Sequence, residues 1–133
     1  MRVFVFGNEF VKEDSKAINF LKKIDGKLNS VEFIIVNPNQ DLPFEGEEKI
    51  VILDTVEGID KVEIFNEQQI DKIKLNKSVT VHDFDLGLQL KYLKKIGRLK
   101  KFTIIGIPKN KKVNYLRIQS ILRKLVAQDM QGS

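Results

Sequence analysis

The sequence predicts a single α/β domain, a mostly parallel twisted sheet with helices on both faces. Three observations predict it. Short apolar runs of strand length alternate with segments whose apolar residues recur at helical spacing. One run, "KIVILD" (49–54), is nearly all apolar, as a strand covered on both faces must be. The chain has 133 residues, 42% of them apolar, which suits one core.

The elements follow in order. "RVFVF" (2–6) is a first strand, met by the turn signal Gly7-Asn8. Asp14-Ser15 precede Ala17, Phe20, Leu21, Ile24 and Leu28 at helical spacing, which predicts a capped amphipathic helix ending near Gly26. "VEFIIV" (31–36) is a second strand, stopped by Asn37-Pro38, and 49–54 is a third. "KVEIF" (61–65) alternates and reads as an edge or hairpin strand. Residues 67–75 fit neither period. "SVTV" (78–81) is another short strand. Leu86, Leu90, Tyr92, Leu93 and Ile96 mark a helix that stops at Gly97. "FTIIGI" (102–107) is a last buried strand, ended by Pro108, and Tyr115, Ile118, Leu122 and Leu125 mark a C-terminal helix. The domain is expected to span 1–128, with a polar tail over 129–133.

Composition narrows the chemistry. There is no cysteine, so disulfides, thiolate metal sites and a cysteine nucleophile are excluded. No run approaches the ~18 apolar residues of a membrane span, and "MRVFVFGNEF" lacks a signal-peptide cleavage site. A cytoplasmic protein without membrane contact is expected. The net charge of +5 is unevenly placed. Residues 86–128 hold 12 Lys/Arg and no acid, whereas residues 1–85 hold 11 Lys/Arg against 17 Asp/Glu. The basic third reads either as solvated helix faces or as a docking face for an acidic partner. It lacks the aromatic-and-basic interleaving of RNA readers, so no nucleic acid is expected.

In open α/β sheets the working surface lies outside the carboxyl ends of the strands. Three groups fall at such ends: Asp14 (or Glu13) after the first strand, Asp54 at the end of the third, and His82, the sole histidine, after the run at 78–81. Two carboxylates and an imidazole are a ligand set for a divalent transition metal such as Ni, Zn, Mn or Fe. The plain alternative is that a strand-end Asp caps a helix, which suits Asp14 better than Asp54. No Gly-x-Ser-x-Gly or His-Glu-x-x-His is present, so neither a serine triad nor a zincin site is available.

"FGNEFVKEDSKA", "VILDTVEG", "HDFDLG" and "IIGIP" occur in that order. Together they resemble the hydrogenase maturation endopeptidase family, with "HDFDLG" nearest to its archaeal branch. The resemblance implies removal of a C-terminal extension from the precursor of a [NiFe] hydrogenase large subunit. It also implies that Asp14, Asp54 and His82 hold nickel and carry the catalysis, with Glu13 in reserve. The nickel would arrive with the precursor and would not be permanently bound. The chain departs from the family pattern at Val5, Ser15 and Ala17, where glycines are usual, and at Thr55, where alanine is frequent.

A protease acting on one precursor needs a surface beyond its metal ligands. Lys94 and Lys95, within the basic helix after His82, are the candidate docking residues. Two other classes fit less well. In a receiver-like signalling domain Asp54 would accept phosphate beside Lys109, but Glu13 and Asp14 lie too far past the first strand. A non-catalytic binding protein would use the basic C-terminal third.

Overall fold

The first strand, β1 (Arg2–Val5), lies between two parallel neighbours, β2 (Glu32–Ile35) and β3 (Lys49–Glu57). The computed structural model describes residues 1–7, 15–24, 28, 30–36, 49–72, 74–75 and 86–131. The remaining described elements are α1 (Lys16–Lys23), β4 (Glu63–Asn66), a 3-10 helix (Glu67–Lys72), β5 (Lys74–Leu75), α2 (Leu86–Lys95), β6 (Lys101–Pro108) and α3 (Tyr115–Gln131). The strands run in the order β2-β1-β3-β6-β4, with β5 pairing β3. β4 is the antiparallel edge strand that its alternating sequence predicts, and β5 is also antiparallel. The expected strand at 78–81 lies outside the described residues.

Two apolar clusters cover the two faces, because side chains alternate along each strand. Phe4, Ile50, Ile52, Val56, Phe102 and Ile104 face one way and pack with Leu86 and Leu90 of α2. Val3, Val5, Val51, Leu53, Ile105 and Ile107 face the other way and pack with α1 and α3. Phe20 of α1 is fully buried there, stacked on Tyr115 of α3 with ring centroids 5.9 Å apart. Burying such a side chain contributes about 1.5–3 kcal/mol.

Helix ends follow local chemistry. Asn114 caps α3, accepting the Arg117 N–H on its side-chain oxygen at 3.2 Å. Gly97, at φ +78°, ends α2, and the Arg98 N–H then reaches back to the Leu93 carbonyl at 3.0 Å. Three boundaries differ from the sequence-based expectation. The first helix ends at Lys23, before Gly26, and its cap position is held by Ser15 without a side-chain capping bond, not by Asp14. The third strand continues past Asp54 to Glu57, because β6 and β5 still pair it there. The polar residues from 129 onward remain helical as far as Gln131.

The topology reverses between β1 and β3. From β1 the chain passes through α1 to β2 on one side, and from β3 it passes through α2 to β6 on the other. The two helices lie on opposite faces. Such a reversal opens a crevice at the carboxyl ends of the two central strands, the usual ligand site of open α/β sheets.

Candidate active site at the carboxyl rim

Asp54 lies on the carboxyl side of β3, beside the point of reversal. The last β1 pairs join Val5 to Leu53, and Phe6 N–H still donates to the Leu53 carbonyl at 3.0 Å. The same edge of β3 is next occupied by β5, where Leu75 stands opposite Val56. Asp54 and Thr55 therefore lie where one neighbour has left and the other has not yet joined. Strand alternation places the Asp54 side chain on the face of Ile52 and Val56, the face that α2 covers.

Asp54 is 2% exposed, on a face that is apolar among the described residues packed against it. Its Oδ1 accepts the Thr55 backbone N–H at 2.8 Å. Ionised carboxylates are kept at such depth only where donors or cations compensate the lost water.

Lys16 organises the neighbouring part of the rim. Its ammonium donates to the carbonyls of Pro108 and Lys111, each at 2.7 Å, and to that of Lys109. This fastens the first turn of α1 to the end of β6. Beside it, Lys109 Nζ meets Glu57 Oε1 at 3.1 Å. Lys109 is thus engaged by Glu57, three residues beyond Asp54. Nothing in the pattern marked Lys16, since a lysine in a first turn reads as a solvated side chain. Only its place between Ser15 and Ala17, where the family has glycines, sets it apart.

Those two replacements are accommodated. Ala17 is fully buried in the second cluster, and Ser15 Oγ accepts a bond from Asn19 Nδ2 at 3.2 Å. Val5 and Thr55 are likewise buried.

Of the predicted site residues, Asp54 is described; Asp14, Glu13 and His82 lie outside the described residues. Among the described residues no three His, Asp or Glu converge on one point. Direction along the chain still orders the elements around the crevice. α2 delivers the chain to Lys101, which pairs with Lys49 at the amino end of the sheet. The first turn of α2, four residues after His82, therefore points toward the carboxyl rim. Lys94 and Lys95 occupy its last turn, both exposed, near the amino end. Lys94 Nζ bonds the Glu67 carbonyl at 3.0 Å.

The fold is similar to that of an endopeptidase from Escherichia coli known from a solution structure. The TM-score is 0.54 at 13% identity, over 96% of this chain and 89% of that one. A hydrogenase 2 maturation peptidase from a Thaumarchaeota archaeon aligns over 98% of both chains, at 21% identity and a TM-score of 0.49. No curated protein matches the chain. The family model for hydrogenase maturation protease (HycI) matches residues 22–131, a span that holds Asp54 and His82 and begins after Asp14. Family membership sets aside both the receiver-like and the non-catalytic readings: the chain is a peptidase and belongs to the hydrogenase maturation protease family.

Proposed function

We propose that this protein hydrolyses the peptide bond that joins a C-terminal extension to the precursor of a [NiFe] hydrogenase large subunit. The precursor brings its own nickel, and Asp14, Asp54 and His82 close around that ion as the extension enters the crevice. The observation that carries this reading is the buried carboxylate of Asp54 at the reversal point of a sheet that belongs to a maturation-protease chain. Lys16, two residues after Asp14, holds the start of α1 to the same rim, which favours Asp14 as the second oxygen ligand. The first turn of α2 favours the approach of His82 from the other face.

Two carboxylates and one imidazole give a divalent ion only three protein ligands and leave positions open. The set therefore suits a transient check that the precursor is loaded. Held by these three residues, the ion would supply polarisation of the scissile carbonyl or a lowered pKa for an attacking water. In this reading the reaction belongs to the cytoplasm, which suits a chain without cysteine; among the described residues, no helix is long and apolar enough to cross a membrane. Lys94 and Lys95 steer the precursor at long range, an effect screened over about 8 Å at physiological salt.

The test is incubation with nickel-loaded and nickel-free precursor, followed by intact mass. Loss of the extension from the loaded form alone supports the reading. Equal cleavage of both forms contradicts the metal check, and cleavage of neither contradicts the substrate.

A further inference from the structure

The outer side of α2 carries apolar side chains that the core does not use. Leu88, Tyr92 and Ile96 are 62%, 58% and 44% exposed. They follow one another at four-residue spacing, so they form a single ridge along the helix and the turn that follows it. The core-facing stripe of the same helix is complete without them: Leu86 and Leu90 are buried and Leu93 packs against them. Among the described residues, core packing accounts for one apolar stripe on α2, and the second is exposed. The other large apolar side chains exposed among the described residues, Ile35, Ile64 and Leu116, stand singly on three different elements.

Charge accompanies the ridge. Lys91 and Lys95 lie one turn apart along its flank, and no acidic residue occurs between 86 and 128. Lys91 reaches Asp71 on the neighbouring 3-10 helix at 3.3 Å. The ridge begins in the first turn of α2, at the rim that holds Asp54, and on the face of the sheet that Asp54 shares. A partner seated on it would lie beside the crevice.

We infer that this ridge docks the precursor. An acidic protein surface with an apolar centre seats on Leu88, Tyr92 and Ile96, while Lys95, and Lys91 in exchange for its pair with Asp71, receive its carboxylates. The identity of the occupant rests on the functional reading above. Charge complementarity selects an acidic partner. It disfavours a second copy, because a two-fold contact would set the lysines of one ridge against those of the other. An exposed tyrosine within an apolar row is also the kind of residue that dominates interface energy. The ridge supplies retention, and the lysines supply steering.

The experiment uses the full chain and the large-subunit precursor bearing its extension. Association and dissociation are followed by surface plasmon resonance, cleavage by mass, and folding of each variant by circular dichroism. The double variant Leu88→Ser/Tyr92→Ser should dissociate at least about tenfold faster. Lys91→Glu/Lys95→Glu should associate more slowly and lose most of its salt dependence. Leu116→Ser, a still more exposed leucine on α3, should stay within about twofold of wild type. Wild type that neither binds nor cleaves the precursor overturns the functional reading and, with it, this occupant. Wild type that cleaves, with the Leu88/Tyr92 variant binding and cleaving equally well, overturns the ridge alone. A dimer seen in sedimentation equilibrium and abolished by Tyr92→Ser gives the ridge to a second copy and also overturns the proposal.

Discussion

Asp54 in β3 and Gly106 in β6 stand directly opposite each other on neighbouring parallel strands. No side chain fits at 106: a Cβ there would lie 2.8 Å from Val56 Cγ2 and 2.9 Å from Phe65 Cε2. The floor beside the buried carboxylate is therefore closed by backbone, with Val56 and Phe65 drawn in tightly above it.

Gly106→Ala should consequently lower stability by about 1–3 kcal/mol, the usual range for overpacking a dense core. Urea unfolding measures it. A variant as stable as wild type would mean that Val56 and Phe65 yield easily, and that the close approach at 106 is unimportant.

Removing the strap at Lys16 should act on both stability and turnover. Lys16→Met keeps the stem but loses the donor to three carbonyls. Hydrogen bonds to charged groups are worth about 1.5–3 kcal/mol, at the lower end for a partly exposed ammonium. A loss of about 1–2 kcal/mol in urea unfolding is expected, together with slower precursor cleavage because the start of α1 is no longer held to β6. Unchanged cleavage would separate Lys16 from the site and leave it a purely structural clamp.

The contact between α1 and α3 gives a cleaner stability test. Phe20 meets Tyr115 in a stack and Phe33 edge-on at 6.4 Å. Phe20→Ala should cost about 3–5 kcal/mol. A loss below 1 kcal/mol, by the same unfolding measurement, would show that these helices repack around the vacancy.

Much of this architecture is legible in the chain, because long apolar periods report burial directly. The central strands, the edge character of β4 and the stop of α2 at Gly97 follow from alternation and from one glycine. The 3-10 helix at Glu67–Lys72 does not, since Ile70 is its single buried residue and no period can be read from one position. It is set instead by side-chain bonds: Asn66 Oδ1 accepts the Gln68 N–H at 3.0 Å, and Gln69 Oε1 accepts that of Asn66 at 2.9 Å. The overrun of β3 past Asp54 was equally hidden, because it depends on pairing with Lys74 and Leu75, distant in sequence. At the site, Asp54 could be picked out as a carboxylate ending an apolar run. Lys16 could not, because its role depends on carbonyls more than ninety residues away.

The measurement that bears most directly on the central claim is cleavage of nickel-loaded precursor by Asp54→Asn beside wild type, with unfolding followed in parallel. The substitution is nearly isosteric, so the variant should unfold close to wild type. It removes the negative charge that a shared cation requires, so the extension should stay attached. Normal cleavage by Asp54→Asn would contradict the account, and so would a variant that fails to cleave only because it has unfolded.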